Sequence, residues 1–171
     1  MIRYEWLAEM INENGFVSGA ELGVREGITS RYLLKNCSSL ERLILVDLWA
    51  PQPENTGPEN YEDIDHNSNY DMVCRLDKYF PDKEIVIIRE MTAKAHAYIS
   101  DYSLDFVFID ADHGYKAVQS DIDFWRPKVR DGGILCGHDY PWKSVEKAVK
   151  SRFVFYDVAD LGKNAIWWTQ C

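Results

Sequence analysis

Two carboxylates and an imidazole follow an uninterrupted apolar run in Phe106-Val107-Phe108-Ile109-Asp110-Ala111-Asp112-His113-Gly114. A second run, Gly133-Ile134-Leu135-Cys136-Gly137, leads in the same way into His138-Asp139-Tyr140. Runs of this kind read as strands buried on both faces of a parallel sheet, and open α/β sheets bind ligands just beyond the carboxyl ends of their strands. If the two strands are neighbours, Asp110, Asp112, His113, His138 and Asp139 converge on one small region. Unlike titratable groups held that closely can bind a metal ion or shift one another's proton affinity.

The rest of the chain supplies elements to position them. Tyr4, Leu7, Ala8 and Ile11 recur at helical spacing before Asn14-Gly15, which predicts an opening amphipathic helix on one face of the sheet. Ala20-Glu21-Leu22-Gly23 reads as the end of a first strand, breaking into Val24-Arg25-Glu26-Gly27 and a helix begun near Thr29 or Ser30. Leu43 to Asp47 makes a second buried strand, Ile85 to Ile88 a third, Phe106 to Asp110 a fourth and Ile134 to Gly137 a fifth; Phe153 to Tyr156 and Ala165 to Trp168 complete the set. Met72, Val73, Leu76, Tyr79 and Phe80 mark one intervening helix, Tyr115, Val118, Ile122 and Trp125 another, and Val145, Ala148 and Val149 a third. Strand alternating with helix means a doubly wound, Rossmann-like α/β sheet. The turn around Asp160-Leu161-Gly162-Lys163 is too short for a crossover, so the last of the seven strands is expected to run antiparallel in a mostly parallel sheet. Residues 48–70 break the alternation, with Pro51, Pro53, Gly57 and Pro58 among Glu54, Glu59, Glu62, Asp63 and Asp65. A loop this long after a strand's carboxyl end, on the ligand side of the sheet, reads either as a substrate lid or as a merely flexible excursion.

A chain of 171 residues fits a single domain spanning 1–171, a size that buries roughly 70% of the surface of its unfolded form. Hydrophobic residues at 46% and charged ones at 27% describe an ordered globular chain. The net charge of -9, with no basic stripe, argues against a nucleic-acid partner. Cys37, Cys74, Cys136 and Cys171 form no CxxC pair, so reduced thiols in the cytoplasm are expected rather than zinc ligation or a disulfide framework. The start lacks the apolar core of a signal peptide, and no stretch approaches the ~18 apolar residues of a membrane span, so no membrane partner is expected.

The first turn, Glu21-Leu22-Gly23-Val24-Arg25-Glu26-Gly27, has fewer glycines than the dinucleotide fingerprint GxGxxG, which needs them so that backbone amides approach a pyrophosphate. A carboxylate just before the turn, Glu21, suits an ammonium-bearing ligand and opposes a phosphate. Asp47, ending the second strand, is placed to accept hydrogen bonds from ribose hydroxyls. An ammonium group and a ribose in one ligand suggest S-adenosylmethionine. Gly23 and Gly27 would keep the backbone close to it, and the strand ends put Trp49, Met91 and Thr92 near its adenine.

At these residues the chain resembles the class I S-adenosylmethionine-dependent methyltransferases. Ala20 to Gly27 looks like their first motif and Val46-Asp47 like their ribose-binding acid, and the order of elements agrees over essentially the whole length. Phe108-Ile109-Asp110-Ala111-Asp112-His113-Gly114-Tyr115 and Gly132-Gly133-Ile134-Leu135-Cys136-Gly137-His138-Asp139-Tyr140 resemble, more narrowly, a small-molecule O-methyltransferase branch acting on sugars and natural products, several of whose members use a divalent metal. By that resemblance Asp110 and Asp139 match metal-ligand positions, and Asp110 also stands on the cofactor side. His138 stands where an acid is usual, which favours manganese or a softer ion over magnesium. His113 matches a histidine general base in some sugar O-methyltransferases, and Asp112 an acidic base in others.

Methyl transfer from a sulfonium is an in-line displacement, and an alcohol is a poor nucleophile until it loses its proton or a metal polarises its oxygen. Histidine suits the proton-taking role, and a neighbouring carboxylate raises its basicity. Plainer roles stand beside these. Asp112 can cap the helix that begins near Tyr115, His138 can be a buried histidine bonded to backbone, and Tyr140, Trp142, Trp167 and Trp168 read as core or rim aromatics. His66 and His96 have no partner at informative spacing.

The function expected is a cytoplasmic methyltransferase for a small hydroxylated acceptor. A nicotinamide-dependent oxidoreductase is the alternative within the fold, disfavoured by the missing GxGxxG and the lack of a Tyr-x-x-x-Lys pair. A non-catalytic module that keeps the S-adenosylmethionine pocket is the other. The acidity of residues 48–70 disfavours anionic acceptors, and a chain without a cap domain can use a partner subunit, in a homo-oligomer, to close its pocket.

Overall fold

The computed structural model describes residues 1–51 and 65–171. Its sheet is ordered β3-β2-β1-β4-β5-β7-β6, from β1 (Ser18–Leu22), β2 (Arg42–Asp47), β3 (Glu84–Arg89), β4 (Leu104–Ile109), β5 (Val129–Gly137), β6 (Asp157–Ala159) and β7 (Ile166–Gln170). The first five run parallel, and β7 lies antiparallel between β5 and β6. The seven-strand Rossmann-like reading therefore holds, with both ends of the closing hairpin inside the sheet. From β1 the order runs to β2 and β3 on one side and to β4 on the other, so the crevice between the carboxyl ends of β1 and β4 is the topological switch point where such sheets take ligands.

Side-chain alternation along β4 explains why that strand is apolar throughout. Phe106 and Phe108 pack on one face with Leu7 and Ile11 of α1 (Arg3–Asn14) and Leu33 of α2 (Ile28–Asn36). Val107 and Ile109 pack on the other with Val118, Ile122 and Trp125. Those three lie on a later helix, α6 (Tyr115–Trp125), and Val145, Ala148 and Val149 of α7 (Lys143–Arg152) join the same layer. Two aspartates flank the strand's apolar stretch, and their neighbours separate their roles. Asp105 is buried and accepts the Val17 and Ser18 amides at 2.7 and 2.8 Å, fastening β1 to β4 at the end away from the crevice.

Three expectations need correcting. Phe153 to Tyr156 is not a strand: Phe153 is buried, but Val154 and Phe155 are exposed, and extended pairing starts only at Asp157. The helix expected around Met72 to Phe80 is two, α3 (His66–Val73) and α4 (Leu76–Tyr79), and α3 starts inside residues 48–70 because the Asp65 carboxylate caps the Ser68 amide at 2.9 Å. Residues 66–70 of the segment expected on the substrate side are thus helical, and its residues 52–64 lie outside the described residues. Lastly, β3 is only half-buried, since it forms the sheet's edge. Among the described residues no helix is long and apolar enough to cross a membrane.

Candidate active site

The ends of β4 and β5 are neighbours in register, Ile109 beside Gly137, so the residues just past them meet. His113 Nε2 lies 2.6 Å from Asp139 Oδ2, and His138 Nδ1 lies 3.1 Å from Asp139 Oδ1 and 3.4 Å from Asp110 Oδ1. Acid and imidazole alternate in one connected chain. Burial alone would discharge His138, but the carboxylates of Asp110 and Asp139 outweigh it and push its pKa up to about 9. His113 is raised for the same reason: burial, the largest single influence, opposes, and the carboxylates of Asp139, Asp110 and Asp112 together outweigh it. Burial likewise works against a charged Asp139, but its bonds to the two imidazoles hold it well below the usual carboxylate range. The remaining ring nitrogens, His113 Nδ1 and His138 Nε2, are buried without hydrogen-bond partners. Asp112 takes a different part: its Oδ1 accepts the Gly114 amide at 2.6 Å at the entry to α6, close to the capping role weighed above. His138 does not use its ring on backbone, the plainer reading open to it.

At the ends of β1 and β2 the first turn folds around Asp47. Its Oδ2 accepts the amides of Val24 and Arg25 at 2.9 and 2.8 Å, and its Oδ1 accepts that of Trp49 at 2.8 Å. Oδ2 is thereby filled, and Oδ1 keeps a lone pair for a further donor. Gly23 sits at φ 86°, and a Cβ there would come 2.1 Å from the Asp110 carbonyl oxygen. Closeness of β1 to β4 forbids a side chain at Gly23, a constraint the sequence reading had traced to the ligand alone. Gly27, at φ 77°, is the N-cap of α2. Glu21 is 2% exposed and hydrogen-bonded by the Ser30 hydroxyl. Trp49 is buried, with Nε1 donating to the Arg25 carbonyl at 2.7 Å, whereas Met91 is exposed and Thr92 begins α5 (Thr92–Ala95).

These groups line one cleft of about 790 Å³ at the switch point, which takes in every site residue singled out in the sequence except Gly27. Among the described residues, three of the four non-glycine residues at left-handed φ, Arg25, Trp49 and Asp139, belong to its wall. Strain collected in this way is typical of functional sites. Residues 20–140, more than half of the chain, match the family model described as a methyltransferase domain. The chain belongs to this methyltransferase family. Its fold is shared with the calicheamicin methyltransferase CalS11 (TM-score 0.72, 13% identity, covering 98% of this chain and 76% of that one). It is shared also with the O-methyltransferase from Bacillus cereus in complex with SAH (TM-score 0.63, 14% identity, 98% and 80%). An rRNA methylase from Streptococcus thermophilus is similar too (TM-score 0.65, 9% identity, 98% and 92%). No curated protein matches the chain significantly. Membership in the family bears out the resemblance read from the motifs and the reading of the chain as an enzyme.

The cleft region also contains residues that the sequence did not assign to the site. Arg3, from α1, brings its Nε to 3.2 Å from Asp110 Oδ2, and no local pattern marks an arginine at a chain start for that contact. Trp142, read as a rim aromatic, packs its ring against that of His113 with centroids 4.6 Å apart and planes tilted by 46°. Asp121 had a visible signal: it shares the helical stripe of Val118, Ile122 and Trp125, and it is 2% exposed.

Burial raises the pKa of Glu21 from 4.5 to about 8, and that of Asp121 from 3.8 to about 7. For an acid raised on folding, the native state holds its proton more tightly than the unfolded chain. The associated stability is present below the unfolded pKa and is lost as pH rises through the folded one. The ligand-free methyltransferase is therefore expected to lose stability between about pH 4.5 and pH 8. Urea unfolding across that window measures the slope, and Glu21→Gln should flatten it; an equal slope in the variant would put its origin elsewhere.

Proposed function

We propose that this methyltransferase transfers the methyl group of S-adenosylmethionine to the oxygen of a small hydroxylated acceptor of the sugar or natural-product type. The observation carrying the reading is His113 bonded to Asp139 in the same cleft as the buried Glu21. With its Nε2 proton directed at Asp139, His113 keeps Nδ1 to take the acceptor's proton, and Asp139 stabilises the resulting imidazolium. Asp112, occupied by the Gly114 amide, orients the segment that carries His113. At the donor end Glu21 meets the ammonium group, whose charge restores the carboxylate that burial alone protonates. Asp47 offers the remaining lone pair of its Oδ1 to the ribose, and Trp49, Met91 and Thr92 border the adenine. The net charge of -9 favours an acceptor that is neither nucleic acid nor strongly anionic.

The donor set also suits a divalent ion. Ligand atoms of Asp110, His113 and Asp139 lie within 4.8 Å of one another, and His138 Nδ1 faces both carboxylates, 3.4 Å from Asp110 Oδ1 and 3.1 Å from Asp139 Oδ1. Asp110, Asp139 and His138 would hold the ion, leaving His113 for the proton, and a mixed oxygen and nitrogen set selects manganese or a softer ion over magnesium. When bound, the ion would polarise the acceptor oxygen. Because His138 is protonated up to about pH 9 beside the two carboxylates, it must lose that proton to ligate, and ion affinity rises with pH.

Calorimetric titration with S-adenosylhomocysteine and with NAD tests the donor, and turnover on a panel of hydroxylated acceptors, with chelator and then manganese added, tests the rest. The homologue should bind and NAD should not, while activity should fall in chelator and return with manganese. Binding of NAD alone would return the chain to the oxidoreductase reading. Cofactor binding without turnover on any acceptor would leave a binding module, and full activity in chelator with no metal by elemental analysis would remove the ion.

A further inference from the structure

The carboxyl of Asp121 lies in the cleft and is not employed by the proposed chemistry. Val118, Ile122 and Trp125 turn the apolar face of α6 to the sheet, and Asp121 lies on that face, 2% exposed and on the cleft wall. The Thr92 side chain hydrogen-bonds its carboxyl, but Oδ2 has no partner. Trp125 Nε1 donates to the Thr92 carbonyl at 3.0 Å, which fixes α6 against the start of α5. Met91, Ala93 and Ala117 supply the apolar wall on either side. A slot of small apolar side chains with one fixed acceptor matches a flat heteroaromatic ring that carries an N–H donor at its edge.

We infer that Asp121 is a specificity residue that accepts a hydrogen bond from the exocyclic amine of the adenine, selecting a 6-aminopurine over a 6-oxopurine. The inference rests on the S-adenosylmethionine reading and assigns its adenine a partner. An unpaired buried carboxyl destabilises a fold, and burial accordingly raises Asp121 to about 7 in the ligand-free protein. A donor amine supplies the missing partner, whereas a 6-oxo group would set oxygen against oxygen.

The test is equilibrium binding at pH 8 of S-adenosylhomocysteine and its 6-oxo counterpart, S-inosylhomocysteine, to the wild type and to Asp121→Asn, with thermal melting of both proteins. The wild type should prefer the adenine ligand by about 10- to 100-fold, the range of a hydrogen bond to a charged group. In folded Asp121→Asn the preference should shrink below about threefold, since an amide offers the 6-amino group an acceptor and the 6-oxo group a donor. Equal affinity of the wild type for both ligands overturns the inference even if the variant does not fold. So does a folded variant that keeps the full preference. Failure of the wild type to bind S-adenosylhomocysteine overturns the donor reading itself, and this assignment with it.

Discussion

His113→Ala lowers turnover by about 10²–10⁴-fold, the usual contribution of a positioned general base, while S-adenosylhomocysteine affinity stays near that of the wild type. The argument begins with partners. His113 has Asp139 at one nitrogen and nothing at the other, whereas Asp112 is already bonded to the Gly114 amide. Only the imidazole is thus oriented by an acid and still able to accept a proton. His113→Gln should be equally poor, because an amide fills similar space against Trp142 without accepting a proton. Asp112→Asn should be mild, since an asparagine carbonyl can still take the Gly114 amide. Steady-state kinetics on a competent acceptor, alongside cofactor titration, decides the matter; a severe loss in Asp112→Asn with a mild one in His113→Ala moves the base to Asp112.

The largest stability effect should come from Gly23→Ala. A Cβ at Gly23 would meet the Asp110 carbonyl oxygen at 2.1 Å, the Asp110 carbonyl carbon at 2.5 Å and the Ala111 Cα at 2.7 Å. All three are backbone, so no side chain can rotate away, and β1 and β4 must separate at the switch point. Left-handed φ adds a conformational cost. A loss of roughly 4 kcal/mol or more is expected, in the range reserved for clashes of this kind. Gly27→Ala is the control: its nearest neighbour would be Val73 Cγ2 at 3.1 Å, a side-chain atom, so only about 1–2 kcal/mol should be lost there. Urea midpoints measure both, and a wild-type midpoint in Gly23→Ala would refute the contact.

The fold was legible in the sequence because its signals are local and strong. Apolar runs at Leu43 to Val46 and Phe106 to Ile109 declare strands buried on two faces, helical stripes separate them, and the Asp160 to Lys163 turn requires an antiparallel partner. Where a signal was weaker, tertiary position decided. Phe153 to Tyr156 has strand composition, yet Val154 and Phe155 face solvent, because the chain has not reached the edge of β7 until Asp157. The helix at His66 was hidden in an acidic stretch, where Asp65 acts as a cap and not merely as one more charge.

At the site, the sequence determined that carboxylates and imidazoles follow β4 and β5, since residue type and the position of each strand end are written in the chain itself. Only the tertiary structure decided who pairs with whom. Asp110 and Asp105 bracket one strand, and nothing in their neighbours along the chain says that one fastens β1 through the Val17 and Ser18 amides while the other joins His138 and Arg3. The physical reason is distance in the chain: hydrogen bonds and ion pairs act over a few ångströms in space, and these partners are separated by up to 107 positions between Arg3 and Asp110. Sequence periodicity reports which face a residue occupies, but it cannot report which distant side chain shares that face's end of the sheet.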